Sequence, residues 1–401
     1  MNRREFVAGM AVAPLAARSW LEGAAQQSGE KTSAAAEAGR LLFVGTQTTP
    51  GTSKGIYTYF WDHATGELSQ KDLAAEVEMP TFLALSPDGK HLYAANEAED
   101  FQGKKSGGVT AFEVSGAQLT KLNAVLAGGT GTCYVSTDHT GQAVFCANYN
   151  SGSASSFSVD PAGRLSDAVS NFQYEGHGPV ADRQEGPHAH RAMVSPENGY
   201  VLVNDLGLDC IHIYKLHAKS ARLTPHKPEQ WKSPAGTGPR ALRFHPNGKY
   251  AYCVNELDSS VQVLRWHEET GILKDVQKVS LIPKDYNGPT STGCDIVITR
   301  GGDFAYAANR GYDCIVNFRV DSDTGKLTFL GRTTEGLKLP RDLSLDPSEK
   351  YLLVANQEGD TISVYPRDAK TGMLAPNGKR FPISRPQCLL FAGKSASTFP
   401  V

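Results

Sequence analysis

The sequence predicts an all-β fold, a seven-bladed β-propeller, from three observations. Residues 239–264 contain three short β-strand patterns joined by polar turns. The pattern returns along the chain, and the two ends of the chain complement each other. An Asn closes its second strand at positions 96, 148, 204, 255, 309 and 356, at spacings of 52, 56, 51, 54 and 47 residues. Such tandem units, each of three or four strands, are typical of propeller blades.

Each element of residues 239–264 has a local reason. Residues 241–244 alternate in polarity and end at His-Pro-Asn-Gly, a turn in which Asn and Gly accept positive φ angles. Residues 250–254 are aromatic and β-branched, which favours a strand. A second polar turn precedes a third strand at residues 261–264. The stretch therefore predicts an antiparallel meander.

The other copies predict how the ring closes. Residues 81–96 carry Ser-Pro-Asp-Gly-Lys, and residues 341–356 carry Asp-Pro-Ser-Glu-Lys, at the corresponding turn. The first copy ends at Thr46 and lacks an opening strand, whereas residues 386–391 resemble an opening strand that no blade follows. Joining them completes blade one with strands from both ends of the chain and leaves no wide sheet edge unpaired.

Length and charge predict a single domain that does not bind nucleic acid. The repeat fills residues 41–393 of 401, which predicts one propeller followed by a C-terminal tail at 394–401. The net charge of −2 gives no basic patch for nucleic acid. A closed ring has no need of a partner subunit, so we expect a monomer.

The N-terminal residues 1–27 differ from the rest. Arg3 and Arg4 precede an aromatic residue and an apolar stretch at 7–17 that is too short to span a membrane. This pattern predicts a twin-arginine signal peptide, followed by a flexible leader at 28–40. The mature protein is then expected in the periplasm and not in the membrane. The alternative is an uncleaved tail on a cytoplasmic protein.

The seven cysteines include no Cys-x-x-Cys pair. Most lie in strand patterns, which predicts buried, unpaired thiols. An oxidising compartment is compatible with this, because twin-arginine substrates fold before export. The histidines in turns, such as His139 and His245, are expected to be solvated.

Repeat arithmetic predicts where a site lies. In a blade the first strand lines the central channel, and the second strand ends beside its start, so two repeat positions form two rings at one mouth of the channel. The inner-strand ring is predicted to contain Thr81, Cys133, His190, Arg240, Cys294 and Arg341. The second-strand ring is predicted to contain Gln47, Glu97, Tyr149, Asp205, Glu256, Arg310 and Gln357.

The rings are chemically asymmetric, which favours a site over a purely structural repeat. Charged residues concentrate in blades four to seven, whereas blades two and three contribute Thr81 and Cys133. A histidine or glutamate base, with guanidiniums for an oxyanion and an anionic group, suits attack of water on an ester. The alternative for each single residue is a salt bridge between blades. His188 and His190 could also form a metal pair, but the sequence offers no third ligand, so no metal and no cofactor are predicted.

Residues 41–393 resemble the seven-bladed propeller lactonases, which include bacterial 6-phosphogluconolactonases and fungal carboxy-cis,cis-muconate cyclases. The most specific motifs are Gly-Pro-Arg at 238–240, His-Pro-Asn at 245–247 and Asn-Glu-Leu at 255–257. The resemblance implies metal-independent hydrolysis of a sugar lactone. It implies catalytic roles for His190, Arg240, Glu256 and Arg310, and substrate contacts for His188 and Arg341. The ring positions of Gln47 and Glu97 predict two further substrate contacts.

Three functional hypotheses follow. The first is a 6-phosphogluconolactonase-like carboxylic ester hydrolase with His190 or Glu256 as the base. An exported protein would meet unphosphorylated lactones more readily than phosphorylated ones, so the substrate stays open. The second is a muconate-type cyclase, which closes a lactone by addition of a carboxylate to a diene. The third is a ligand-binding propeller without turnover.

Overall fold

The computed structural model describes residues 41–393 and shows seven four-stranded antiparallel sheets. Each inner strand packs against the inner strands of the two neighbouring sheets, so the sheets form a closed ring of blades. Within the described residues the only helical segment is the short 3₁₀ turn Ala218–Ser220. The predicted all-β, seven-bladed propeller is confirmed.

The inner two strands of each blade line and support the channel. From blade one to blade seven, the inner strands are Pro386–Phe391, Pro80–Leu85, Thr132–Thr137, Ala189–Val194, Pro239–Phe244, Thr292–Ile298 and Pro340–Leu345. The second strands are Leu41–Thr46, His91–Asn96, Ala143–Asn148, Tyr200–Asp205, Tyr250–Asn255, Phe304–Arg310 and Tyr351–Asn356.

The outer two strands complete each blade at the perimeter. The third strands are Gly55–Asp62, Gly108–Ser115, Ser153–Val159, Cys210–His217, Ser260–His267, Cys314–Val320 and Thr361–Pro366. The outermost strands are Glu67–Glu76, Gln118–Leu126, Leu165–Gln173, Arg222–Lys232, Ile272–Ser280, Leu327–Thr333 and Lys379–Pro382. A small hairpin of Asp100–Phe101 and Lys104–Lys105 extends from blade two.

Both ends of the described chain meet in blade one. Leu42 pairs with Phe391, and Val44 pairs with Leu389, in an antiparallel ladder. The predicted closure by strands from the two ends is therefore confirmed. It gives the second strand of blade one a partner on each side and abolishes a free sheet edge at the channel.

The core lies between blades. One apolar cluster joins Leu42 and Tyr59 of blade one to Leu353 and Val364 of blade seven, and six further clusters fill the other interfaces. Because each blade is covered on both faces, its second strand is buried along most or all of its length, as in Tyr250–Asn255. This explains why these strands read as continuous apolar runs instead of alternating patterns.

The repeated asparagine braces the second strand. All six copies are fully buried. Asn255 Nδ2 donates to Ser260 Oγ at 3.0 Å, and Asn148 Nδ2 donates to Ser153 Oγ at 2.9 Å, so the amide ties the end of the second strand to the third strand. The residue after each Asn is thereby held at the mouth of the channel.

The cysteine prediction is confirmed, and one histidine prediction is wrong. All seven cysteines are buried, and none forms a disulfide. His245 is only 2% exposed, although it lies in a turn. Its Nε2 contacts the Gly302 carbonyl oxygen at 3.0 Å, and its Nδ1 accepts a hydrogen bond from the Asn247 amide at 3.1 Å. The turn is buried because a turn of the next blade packs over it.

The predicted signal peptide at 1–27, leader at 28–40 and tail at 394–401 lie outside the described residues. In the part of the chain that is described, no helix has the length and apolar character needed to cross a membrane.

Candidate active site

The inner-strand ring is built from β-bulges. In blade five Pro239 pairs with Asn255 and Ala241 pairs with Val254, so Arg240 is the extra residue at a register shift. The same shift falls at the ring residue in the other blades, His190 included. A bulge takes a residue out of the regular ladder and redirects its side chain, which explains how the ring residues come to line the channel.

The structure brings most of the predicted inner ring together around one small cavity at the channel, which we call the passage. Its lining consists of Thr81, Phe82, Cys133, Tyr134, His190, Arg191, Arg240, Arg341 and Gln387. Cys294 contributes its carbonyl oxygen, which accepts a hydrogen bond from Arg240 Nη1. Sequence reasoning missed Gln387, although Pro386-Gln387 repeats the Pro-x start of the inner strands of blades two, five and seven.

Glu256 is the centre of a buried ion-pair cluster. Arg240 Nε lies 2.9 Å and Arg310 Nη2 lies 2.8 Å from its Oε2, and Arg183 Nη2 pairs with its Oε1. Burial by itself raises the pKa of the Glu256 carboxyl, but the Arg310, Arg240 and Arg183 guanidiniums outweigh it and lower the pKa to about 2. Glu256 is therefore ionised, with both oxygens occupied. We call these four residues the Glu256 cluster.

Sequence reasoning missed Arg183. It lies between the outer strand of blade three and the inner strand of blade four, in residues 174–188, a segment without counterpart in the repeat. The adjacent Gln184 is fully buried and donates from Nε2 to the Leu206 carbonyl oxygen at 2.8 Å. Gln184 also accepts from the Val180 amide at 3.1 Å. The segment is thus anchored to the blade, and Arg183 is held beside Glu256.

His190 faces the passage and is 7% exposed. Neither ring nitrogen hydrogen-bonds to any residue within 41–393, and Nδ1 is fully buried. Burial, followed by the positive charges of Arg240 and Arg341, holds the pKa of His190 well below its usual value. The imidazole is therefore neutral near pH 7 and has a free lone pair.

His188 is placed differently from His190. Its ring stacks on Tyr149, with 4.5 Å between centroids, and its Nδ1 contacts the Tyr149 carbonyl oxygen at 2.9 Å. Its Nε2 lies 3.2 Å from Glu185 Oε1. Both ring nitrogens of His188 therefore have partners. The Tyr149 ring also packs edge-on against His190. His188 shapes one wall of the site through Tyr149.

The remaining predicted substrate contacts lie at different depths. Arg341 lines the passage, and its guanidinium makes no hydrogen bond or ion pair with the residues described. Gln47 Oε1 accepts from Arg385 Nε at 2.8 Å and from Gln387 Nε2 at 3.3 Å. Glu97 is half-buried. Neither Gln47 nor Glu97 has a hydrogen bond or ion pair to the Glu256 cluster among the described residues.

A second charged network lies behind His190. Arg191 is 2% exposed, donates to Asp295 Oδ1 at 2.9 Å, and lies over the Tyr134 ring at 4.9 Å. Burial, with Asp295 as the next cause, raises the pKa of Asp342 to about 8. Arg191, which sequence reasoning also missed, links the inner strands of blades four and six through Asp295 and adds positive charge near His190.

Across residues 41–393, no group of three or more His, Cys, Asp or Glu side chains is arranged to hold a metal ion. The chemistry that these residues offer is a neutral imidazole, a clamped carboxylate and several guanidiniums. This set can take a proton from water and stabilise developing negative charge.

Comparison with known proteins agrees with this architecture. The family model described as lactonase, 7-bladed beta-propeller, matches residues 41–391. The chain belongs to this lactonase family. The resemblance inferred from the sequence motifs is thereby confirmed.

Relatives in this family carry lactonase names. The 6-phosphogluconolactonase of Bacillus subtilis is 37% identical over 351 residues, covering 87% of this chain and 97% of that protein. The 6-phosphogluconolactonase of Formosa agariphila is 33% identical and covers 83% and 94%. The structure of a periplasmic gluconolactonase from Pseudomonas aeruginosa superposes with a TM-score of 0.83 and is 29% identical, covering 88% of this chain and 99% of that one.

Proposed function

We propose that the protein is a metal-independent lactonase that hydrolyses a sugar lactone, with His190 as the general base. The observation that carries this proposal is the contrast between His190 and Glu256. His190 is neutral, faces the passage and has no hydrogen-bond partner for its ring nitrogens among residues 41–393. Glu256 has both oxygens taken by guanidiniums and a pKa of about 2, which makes it a poor proton acceptor near pH 7.

The proposed reaction has two steps. A water molecule attacks the lactone carbonyl carbon while His190 takes one of its protons, which gives a tetrahedral oxyanion and an imidazolium. The carbonyl then re-forms as the ring C–O bond breaks, and the imidazolium returns the proton to the leaving alkoxide. The product is the open-chain hydroxy acid, which loses its carboxyl proton to solvent at neutral pH.

The arginines supply the electrostatic part of this mechanism. Arg240 and Arg341 line the same passage as His190, so they can stabilise the oxyanion. Their charges disfavour the imidazolium in the free protein. The negative charge that develops on the tetrahedral intermediate offsets those positive charges. The proton affinity of His190 therefore rises in the step in which it takes the proton from water.

Glu256 acts in this proposal as a positioning residue. Its carboxylate holds Arg240 and Arg310 at 2.9 and 2.8 Å and fixes their guanidiniums at the mouth. Arg240 also donates to the Cys294 carbonyl oxygen, so its orientation is determined from two sides. Fixed donors need little reorganisation as charge develops in the reaction.

We further propose that the protein works in the periplasm after export by the signal at residues 1–27. Arg3 and Arg4 support this, as does the similarity to a periplasmic gluconolactonase. Fractionation of cells that express the full chain tests it: recovery in the cytoplasm alone contradicts it.

The activity is tested by pH-stat hydrolysis of glucono-1,5-lactone and its 6-phosphate, with the spontaneous rate subtracted. We expect the wild type to hydrolyse at least one of them, and His190→Gln to reduce kcat by about 100-fold or more, because general base catalysis typically contributes 10²–10⁴-fold. Treatment with EDTA should leave the rate unchanged.

His139→Gln is the matched control, because His139 lies in a turn of blade three and outside the lining of the passage. It should retain the wild-type rate. Retention of most activity in His190→Gln would exclude His190 as the base. Absence of turnover with both lactones, in a folded protein, would contradict the proposed function.

A further inference from the structure

We infer that Arg183 is a specificity-determining residue that binds a second anionic group of the substrate, a phosphate or carboxylate distant from the lactone carbonyl. This inference rests on the proposed function, because it assumes that the lactone enters the mouth of the channel. It adds a contact from a segment outside the propeller repeat.

The first argument is the way in which the Arg183 guanidinium is held. Its Nη2 donates to Glu256 Oε1 and, at 3.3 Å, to the Tyr149 hydroxyl. Its Nε and Nη1 make no hydrogen bond to the residues that the structure describes. One nitrogen therefore fixes the group, and Nε and Nη1 leave their N–H donors available for charge-assisted hydrogen bonds to a carboxylate or phosphate.

The second argument is exposure. The Arg183 side chain is 36% exposed, whereas those of Arg240 and Arg310 are 3% and 12% exposed. Arg183 is thus the outermost guanidinium of the Glu256 cluster. A ligand can reach its free donors from solvent without displacing Glu256, whereas the two inner guanidiniums are largely shielded from solvent.

The third argument is position relative to the reacting centre. Arg240, Arg341, Arg191 and Arg310 act electrostatically on His190, and Arg183 is absent from the main charges that act on it. Arg183 contacts the opposite oxygen of Glu256 from Arg240 and Arg310. A substrate with its carbonyl at His190 would extend past the Glu256 cluster to place a distal anion at Arg183.

The anchoring of residues 174–188 makes this contact selective. Gln184 is fully buried and bonded to the Leu206 carbonyl oxygen, so the adjacent Arg183 backbone is held in place. A positioned arginine loses less conformational entropy on binding than a mobile one. The sequence gives no other arginine in this segment.

The test is calorimetric binding of three sugar acids that do not turn over: gluconate, glucarate and 6-phosphogluconate. Gluconate lacks a distal anion, glucarate carries a carboxylate there, and 6-phosphogluconate carries a phosphate. We expect the wild type to prefer one or both of the last two over gluconate. Arg183→Ala should reduce that preference by about 10- to 100-fold, the typical value of charge-assisted hydrogen bonds.

Arg183→Lys keeps the charge but not the rigid guanidinium, whose one nitrogen is fixed while the others stay free, and should retain part of the preference. Arg222→Ala removes an exposed arginine from the outer strand of blade four and should leave all three affinities unchanged. The relative affinity of two ligands does not depend on the folded fraction, so partial unfolding of a variant does not imitate the effect.

Three results would overturn the inference: no preference of the wild type for a distal anion, no binding of any of the three acids, or an equal loss for all of them in Arg183→Ala. The last result would mean that Arg183 only supports its segment. Turnover of lactones is measured separately, so an inactive protein that shows the expected binding would contradict the proposed function and not this contact.

Discussion

At the scale of residues, the site depends on a carboxylate that stays charged although it is buried. Burial alone would raise the pKa of Glu256, but the three guanidiniums lower it by more than burial raises it. A buried ion pair stabilises a protein only when its geometry and its other hydrogen bonds are good. Here two guanidinium nitrogens lie 2.8 and 2.9 Å from one oxygen of Glu256, and Arg183 hydrogen-bonds to the other, so three positive charges offset the desolvation of one carboxylate.

The Glu256→Gln variant tests this balance through stability. The folded-state pKa of about 2 lies below the ordinary 4.5, so the ionised carboxylate stabilises the native state above pH 4.5. That contribution, about 3 kcal/mol, is lost as the pH falls from 4.5 towards 2. Denaturant unfolding across this range should show the free energy of unfolding of the wild type exceeding that of Glu256→Gln above pH 5, and the gap closing in acid.

The control is Glu268→Gln, which removes the same charge from an exposed turn of the same blade. It should leave the free energy of unfolding close to that of the wild type at every pH. A gap for Glu256→Gln that stays constant down to pH 2 would show that the carboxylate contributes through packing and not through charge.

At the scale of elements, the start of each inner strand combines a proline-led or small-residue entry with a β-bulge. The bulge frees one side chain per blade from the ladder, and the buried Asn of the second strand holds the neighbouring position. The same β-bulge, repeated around the ring, therefore places different side chains at one mouth of the channel. The chemistry can vary from blade to blade because the backbone does not.

The inner strand of blade one is the element on which ring closure depends. A chain that ends at residue 385 loses Pro386–Phe391, including the buried Cys388 and Leu389. Each such side chain contributes about 1.5–3 kcal/mol of burial, and the loss also exposes the edge of Leu41–Thr46. We expect most of the net stability to disappear, with aggregation or a broad thermal transition measured by circular dichroism.

The matched control is a chain that ends at residue 393, which keeps the closing strand and all of the described residues. It should unfold in a single transition at the same temperature as the full-length protein. A sharp transition at the full-length temperature in the shorter chain would mean that the ring does not need its closing strand.

At the scale of the whole molecule, the closed ring separates thiols from solvent. All seven cysteines are buried, and burial raises the pKa of the thiols of Cys133, Cys146 and Cys253. Thiolates are the reactive form. These thiols are therefore protected from oxidation both because reagents cannot reach them and because they stay protonated. A protein folded before export would carry them reduced into an oxidising compartment.

Export and protection can be tested together. The full chain should be recovered from the periplasm, and the double variant Arg3→Lys with Arg4→Lys should stay in the cytoplasm. In both fractions we expect iodoacetamide to label no cysteine of the native protein and all seven after denaturation, as counted by mass spectrometry. Disulfides in the periplasmic form would show that the chain folds after export.

Much of the fold and part of the site were predictable from the sequence. The period of the repeated asparagines determined the number of blades, and the missing first strand determined the closure, because each blade must satisfy its own backbone hydrogen bonds. The same period placed His190, Arg240 and Arg341 in one ring, since equivalent positions of a rotationally repeated unit meet at the axis.

Only the tertiary structure decided which of these residues are charged and which are paired. Burial and the neighbouring guanidiniums made Glu256 a clamped anion and left His190 neutral, and neither effect can be read from spacing along the chain. Arg183 lies in a segment without a repeat counterpart, so no periodicity pointed to it. The sequence determined the ring because its rules are local and repeated, whereas the charges of the site depend on contacts among blades distant in sequence.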